Sequence, residues 1–239
     1  MVSALSRVIF GDARHMDRVG NHEAQLTFLS PPYVGHKTRQ EHVAEAELLR
    51  ELFAESVRVT VPDGIIATYN TDFRLNGTMY ERHDAVRDAA EANGLELFVH
   101  KIRVRTYKTD LYRLGYSHVL GFRQRGIRPR VNRQLPEYRP DVWYLPASQR
   151  IGDFRDAIPP EPPAIFIANF TDPDDLVVAP CAGSGTAVLA ALGLGRRATG
   201  YEIDPGRKQT IQERERRFLE YFSDERVRLW FTDPTTQPK

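Results

Sequence analysis

Short apolar runs alternate along the chain with longer stretches in which apolar residues recur every three or four positions. A short apolar run bounded by turn residues predicts a buried strand, and the longer pattern predicts a helix. The predicted strands are RVIF, AQLTFL, IIATYN, LELFVHKIRV, SHVLGF, DLVVAP and RATGYEI. Strands that alternate with helices predict an α/β fold with a mostly parallel, doubly wound sheet, in which ligands bind at the carboxyl ends of strands.

The helices are predicted from periodicity and from turn residues. The first runs from Gln40 to about Thr60, Pro62-Asp63-Gly64 is a predicted turn, and Thr78 is expected to cap a helix that ends at Asn93-Gly94. AIFIANF is a predicted short buried helix and TAVLAALGLG another helix. The last helix is predicted to begin at Pro205, with an inner face made of Ile211, Phe218, Leu219 and Phe222.

Length and composition bound the class of protein. The 239 residues suffice for one large or two small domains, and because no clear linker is visible we expect a single domain over residues 1–239. No run approaches the roughly 20 apolar residues that span a bilayer, so no membrane partner is expected. The one cysteine, Cys181, excludes an intramolecular disulfide, which agrees with a reducing, cytoplasmic location.

The charge is unevenly distributed. The net charge is only +1, but residues 101–139 hold 11 Lys/Arg and 2 Asp/Glu, a net +9, which leaves about −8 for the rest. Such asymmetry predicts a surface that faces a polyanion. Tyrosines among these residues suit stacking on unpaired bases. A solvated loop region, with the tyrosines in a strand core, is the alternative interpretation.

A glycine-containing loop lies between the predicted strand DLVVAP and the next helix. Gly183 and Gly185 allow close approach of a ligand, and Glu202 follows Gly183 by 19 positions, the spacing at which an acid meets a bound ribose. A dinucleotide fingerprint would have glycine at Val188, so a nucleoside ligand without a pyrophosphate, such as S-adenosylmethionine, fits better. The alternative is an ordinary tight turn between strand and helix.

The strand AQLTFL ends in the tetrapeptide Ser30-Pro31-Pro32-Tyr33. Prolines lack the N–H donor, so carbonyl oxygens, a hydroxyl and an aromatic face remain at this strand end. Such an edge suits a flat ring that presents N–H groups, such as the exocyclic amine of a nucleobase. Hydrogen bonds accepted from that amine would localise its lone pair, and positioning would supply most of the rate enhancement.

Together, the tetrapeptide and the AGSGT loop resemble the amino-methylating DNA methyltransferases, in the permuted motif order of their β class. Gly11-Asp12 also matches a family motif, whose acid helps to bind the cofactor adenine. The resemblance implies a Rossmann-like methyltransferase fold, S-adenosyl-L-methionine as the cofactor and DNA as the partner. The serine form of the tetrapeptide is commonest in enzymes that methylate cytosine N4, so we expect cytosine N4 before adenine N6.

The resemblance also implies roles for individual residues. The target base, flipped from the duplex, would be held by Ser30, Pro31, Pro32 and Tyr33. The cofactor would be held by Asp12, Ala179, Cys181, Gly183, Ser184, Gly185, Thr186 and Glu202. A basic, loop-rich region at about 101–150 would recognise the target, and DNA phosphates would be contacted by Lys37, Arg123, Arg125, Arg128 and Arg130. Relatives in the β class often form homodimers, so a homodimer is expected.

The chain departs from the family pattern in the cofactor loop. Ala179-Pro180-Cys181 stands where the family has Asp-Pro-Phe, so a carboxylate that contacts the cofactor's amino group is missing. This opens the alternative of a DNA-binding protein that is non-catalytic or uses another cofactor. Asp174 and Asp175 are close in sequence but are expected at the other end of the strand.

Three further interpretations concern the chemistry. Pro180-Cys181 resembles the nucleophile of enzymes that methylate cytosine carbon 5, but it lies inside the cofactor loop, where small-residue packing is the better interpretation. The same tetrapeptide would also serve an enzyme that acts on RNA or on a protein amide. The seven histidines are scattered and there is one cysteine, so no metal site is predicted.

Overall fold

A computed structural model describes residues 7–32, 39–75, 77–104, 114–132, 140–144 and 157–223, without the side chains of 39–40, 75 and 217–223. The strands are β1 (Val8–Phe10), β2 (Ala24–Leu29), β3 (Thr60–Asn70), β4 (Phe73–Leu75), β5 (Thr78–Tyr80), β6 (Leu95–Val104), β7 (Tyr116–Gln124), β8 (Val142–Tyr144), β9 (Leu176–Ala179) and β10 (Arg197–Glu202). The α-helices are α1 (Arg39–Val59), α2 (Arg82–Ala92), α3 (Glu161–Phe170), α4 (Thr186–Gly193) and α5 (Lys208–Ser223).

The main sheet has eight strands in the order β1-β10-β9-β2-β3-β7-β6-β8, and β4 pairs with β5 in a separate hairpin. Every neighbouring pair of the main sheet is parallel except the two pairs that β7 makes, with β3 and with β6. The predicted α/β class and mostly parallel sheet are therefore confirmed.

Helices cover both faces of this sheet. One hydrophobic cluster joins α3, α4 and Ile211 of α5 to Leu26 and Phe28 of β2. The other joins α1 and α2 to Leu29 of β2 and Phe122 of β7. Strand β2 is buried along its whole length because successive side chains point to opposite, covered faces. This explains why most of its residues are apolar, and it confirms the doubly wound arrangement.

Two local predictions are wrong. Pro62-Asp63-Gly64 lies within β3, where the register with β2 moves from Ala24–Thr60 to Leu26–Ile65, so the extra residues form an irregularity instead of ending the strand. Thr78 begins β5 and pairs with Leu75 across a hairpin, and helix α2 begins only at Arg82. Hairpin pairing takes precedence here over the helix-capping tendency of threonine.

The predicted bounds of the first and the last helix are close to those in the structure. Helix α1 covers the predicted range, and a single 3₁₀ turn at Pro205–Arg207 leads into α5. No helix among the described residues is long and apolar enough to cross a membrane.

Candidate functional site

The tetrapeptide and the glycine loop leave the sheet on neighbouring strands. Thr27 of β2 pairs in parallel with Val178 of β9, and each strand ends within two residues of that pair. The chain runs from β2 toward β3 and from β9 toward β10, in opposite directions across the sheet. Such a reversal point opens a crevice at the carboxyl ends of the strands, where ligands bind in α/β proteins. Ser30 and Cys181 are the third residues beyond the Thr27–Val178 pair and flank this crevice.

A buried arginine holds the tetrapeptide backbone. Arg82, at the start of α2 and fully buried, donates from Nη2 to the carbonyls of Pro32 at 2.7 Å and Pro31 at 3.2 Å. Its Nε donates to the buried carboxylate of Glu45 in α1 at 2.8 Å. A carbonyl oxygen has two lone pairs, so Pro31 retains one for a substrate. Tyr33 and Lys37 lie outside the described residues.

Sequence reasoning missed Arg82 because it reads as an ordinary polar residue at the start of an amphipathic helix. The signal that singles it out is three-dimensional. Its guanidinium joins two helices to the end of β2, a role that the planar, multi-donor group fills better than an ammonium does.

The glycine loop has the backbone that its sequence predicts. Gly183 and Gly185 have φ angles of +54° and +82°, in the left-handed region that favours glycine. A Cβ placed on Gly183 would meet nothing within 4 Å, so open space lies beside this residue. The N–H of Gly183 donates to Glu202 Oε2 at 2.7 Å, and the N–H of Asp204 donates to Oε1 at 3.0 Å. Glu202 therefore contacts the loop and stabilises it, and the ribose contact expected from its spacing stays a prediction.

A second buried arginine lies against the same loop. Arg214 of α5, 4% exposed, donates from Nη1 to Thr186 Oγ1 at 2.6 Å and also to Ser184 Oγ. Burial lowers the pKa of Arg214 to about 10, so the guanidinium stays charged at neutral pH. No carboxylate among the described residues lies within ion-pair distance of it. The loop thus has a positive charge beside it that the sequence pattern does not reveal.

Asp12 lies at the same edge of the sheet. It follows β1, whose Phe10 pairs with Glu202, and its carboxylate accepts hydrogen bonds from the Arg14 side chain at 2.6 to 3.0 Å. The hydrogen bond from Arg14 holds the pKa of Asp12 below its usual value. Asp12 is therefore an anionic acceptor near the glycine loop, already engaged by one cation.

Two residues depart from the family pattern, and of these Ala179 is buried and Cys181 is partly buried. Ala179 ends β9 and is 2% exposed, so no carboxylate projects from this position. Asp174 and Asp175 precede β9 and lie at the opposite edge of the sheet, as expected. Burial, together with the Glu202 charge, raises the pKa of Cys181 to about 12. A thiol with that pKa is protonated at neutral pH, which argues against a cysteine nucleophile.

The four predicted DNA-binding arginines lie at the opposite edge from the tetrapeptide. Strand β7 runs antiparallel to β3, so its end at Gln124 lies beside the beginning of β3. Arg123 and Arg130 form ion pairs, with Glu96 and with Asp172 and Asp175, while Arg125 and Arg128 are exposed. A cavity of ≈ 560 Å³ at this edge is lined by Phe98, Arg123, Gly126, Arg128, Pro129 and Val131.

The cavity is therefore remote from the strand ends that carry the two motifs. The phosphate contacts expected of these arginines stay a prediction, and the structure does not bring them together with the tetrapeptide. Of the basic region predicted at 101–150, residues 105–113, 133–139 and 145–150 lie outside the described part of the chain.

Comparisons with known proteins bear on the family and on the fold. The family model N6_N4_Mtase, described as DNA methylase, matches residues 79–213. The Type II methyltransferase M.MjaI of Methanocaldococcus jannaschii is 23% identical, over 87% of this chain and 90% of its own length.

Among solved structures, TTHA0409 of Thermus thermophilus, complexed with S-adenosyl-L-methionine, has a TM-score of 0.75 at 22% identity. The match covers 89% of this chain and 93% of that chain. The cytosine-N4-specific PvuII DNA methyltransferase has a TM-score of 0.74 at 18% identity, over 90% of each chain. At these identities the structural likeness bears on the fold.

Proposed function

Since the chain belongs to the DNA methylase family N6_N4_Mtase, we propose that it transfers a methyl group from S-adenosyl-L-methionine to an exocyclic amine of DNA, cytosine N4 before adenine N6. The observation that carries this proposal is the parallel pairing of β2 with β9 at Thr27 and Val178. That pairing supports the proposal because it sets the tetrapeptide beside the glycine loop, and direct transfer requires the two bound groups to lie close together.

The loop residues fit this cofactor, which when bound supplies an electrophilic methyl group on a positively charged sulfur. The open space beside Gly183 admits a ligand close to the backbone. Glu202 has remaining lone pairs that can accept from ribose hydroxyls. The Arg214 charge and the N-terminus of α4 suit the carboxylate of the methionine moiety. By resemblance, Asp12 would contact the adenine.

The tetrapeptide would hold the amine. Ser30 Oγ and the Pro31 carbonyl accept its two N–H groups, which turns the nitrogen lone pair toward the methyl donor, and Tyr33 stacks on the flipped base. Arg82 fixes the orientation of the Pro31 carbonyl, and Glu45 compensates the positive charge of Arg82. Because this pair is neutral overall, it adds no net repulsion as the amine nitrogen becomes positive during transfer.

Two observations support cytosine N4 over adenine N6. The first position of the tetrapeptide is Ser30, the form that the resemblance links to cytosine N4. The PvuII enzyme, which matches over 90% of this chain in structure, is itself cytosine-N4-specific.

The test is nucleoside mass spectrometry of DNA from cells that express the chain, because genomic DNA offers every sequence context. We expect N4-methylcytosine, and we expect Ser30→Ala to reduce it by about 100-fold, in the range that general positioning effects reach. The proposal would be refuted if the cells contain soluble, folded protein and their DNA contains no N4-methylcytosine and no N6-methyladenine.

The alternative, a non-catalytic DNA-binding protein on this fold, rests on Ala179. A missing charge-assisted hydrogen bond is worth about 1.5–3 kcal/mol, or roughly 10- to 100-fold in cofactor affinity. Calorimetry separates the two functions. Measurable binding of S-adenosyl-L-methionine supports the enzyme, whereas DNA binding without it supports the alternative. Methylation that arises only in Ala179→Asp would also support a lapsed enzyme.

A further inference from the structure

Three side chains from separate elements converge beside the end of β3. Asp72 follows β3, His83 lies in the first turn of α2, and His118 lies in β7. Asp72 Oδ2 is 2.8 Å from His83 Nδ1 and 3.0 Å from His118 Nε2, and the three atoms lie within 4.8 Å of one another. The histidines follow Asp72 by 11 and 46 positions, so the sequence gives no sign of this group.

The outer nitrogens of both imidazoles also face polar partners. His118 Nδ1 is 2.8 Å from His100 Nε2, and His83 Nε2 is 3.7 Å from Asp84 Oδ1. Metal-binding histidines commonly donate their second N–H to such an outer partner, which fixes the ring and the tautomer. Asp72 is 2% exposed and the His83 side chain 20%, so the group is buried and has one side toward solvent.

We propose that Asp72, His83 and His118 bind a divalent transition metal of the zinc class, with a water in the open position. Zinc lies about 2.0–2.2 Å from nitrogen and oxygen ligands, so two ligands at the tetrahedral angle are about 3.4 Å apart. The carboxylate oxygen is 2.8 Å and 3.0 Å from the two imidazole nitrogens, so metal binding requires these atoms to separate by a few tenths of an ångström. Two imidazoles and one carboxylate favour such a metal over calcium or magnesium, which prefer oxygen ligands.

The position of the group indicates what the metal would do. It would join the segment between β3 and β4, the start of α2, and β7. His83 is next to Arg82, which holds the carbonyls of Pro31 and Pro32. A metal at this site would therefore fix the helix start that positions the tetrapeptide.

The site is tested by titrating the chelator-treated full-length protein with Co²⁺, whose visible absorption reports coordination, followed by competition with Zn²⁺. We expect one Co²⁺ per chain, displaced by Zn²⁺, and a rise in thermal unfolding temperature with added Zn²⁺. Asp72→Asn, His83→Gln and His118→Gln should each abolish this binding. His100→Gln should weaken it by about 10- to 100-fold, as loss of an outer partner does.

His15→Gln is the matched control, because His15 is an exposed histidine outside the group. Circular dichroism in chelator shows whether each variant is folded, independently of metal. The contacts of Asp72 Oδ2 with His83 and His118 also suit a carboxylate that accepts an N–H group from each imidazole. Absence of one-to-one binding by the wild type, or equal affinity in folded His83→Gln and His15→Gln, would establish that hydrogen-bonded arrangement instead. None of these measurements depends on methylation.

Discussion

Gly183 combines two properties that one methyl group would disturb. Its φ of +54° is costly for any other residue, and the space on its Cβ side is open. We expect Gly183→Ala to lower the free energy of unfolding by about 1 kcal/mol, the cost of a left-handed alanine. Because the added methyl also enters the space assigned to the cofactor, binding of S-adenosyl-L-methionine should weaken by about tenfold or more, measured by calorimetry.

Gly94 is the matched control for this prediction. Its φ is +78°, a Cβ there would also meet nothing within 4 Å, and it precedes β6 at the opposite edge of the sheet. Gly94→Ala should therefore lose similar stability and keep full cofactor affinity. Equal losses of affinity in both variants would show that the lower stability of the fold, and not a methyl group that blocks the loop, weakens cofactor binding.

At the level of elements, α1 and α2 are joined to the end of β2 by Glu45 and Arg82. A lysine at position 82 would retain the charge. Its single ammonium group cannot donate to the Glu45 carboxylate and to both proline carbonyls as the planar guanidinium does. We expect Arg82→Lys to destabilise the fold by about 2 kcal/mol, since buried acceptors are left unpaired. Turnover should fall by about 10- to 100-fold with little change in DNA or cofactor affinity, because the Pro31 carbonyl is no longer held in place.

Arg58 is the control for this prediction, because it also pairs with a carboxylate and donates to two carbonyls, at a different place in the fold. It pairs with Glu55 and donates to the carbonyls of Val19 and Met16, both at 3.1 Å, near the beginning of β3. Arg58→Lys should lose stability in a thermal melt but keep turnover. If both lysine variants lost turnover in proportion to their stability, Arg82 would have no separate positioning role.

The elements themselves were predictable wherever a single periodicity governs a segment. Strand β2 and helix α1 follow from apolar patterns in the sequence, and the glycine spacing predicts that Glu202 meets the loop. Arg82, Arg214 and the histidine group were not predictable, because their partners lie on other elements and a buried arginine has the same local pattern as an exposed one. The β4–β5 hairpin was missed since a pair of three-residue strands leaves no periodic signal.

For the molecule as a whole, the antiparallel direction of β7 puts its last residues at the edge remote from the tetrapeptide. Arg125 and Arg128 are exposed at the edge remote from the tetrapeptide, whereas Lys37 follows the tetrapeptide in sequence. Log affinity falls with log salt, and each lost phosphate contact decreases the steepness of this fall by about 0.9. We expect Lys37→Gln to show this decrease and the double variant Arg125→Gln/Arg128→Gln to leave the slope unchanged, measured by fluorescence anisotropy with duplex DNA.

A decrease of about 1.8 in the double variant would instead mean that DNA also contacts the remote edge. That outcome would confirm the phosphate contacts predicted from the sequence and would require a duplex path around the side of the sheet.

The reversed direction of β7 also has a consequence for the connection between β6 and β7. Val104 ends β6 opposite Tyr116, which begins β7, and both lie at the edge that carries Ser30. Both ends of the connection between β6 and β7, whose sequence holds Arg105, Lys108 and Arg113, therefore lie at the edge that carries Ser30. We expect insertions within residues 105–113 to leave the register of Val104 with Tyr116 unchanged and, on the proposed function, to change the DNA sequence that is methylated.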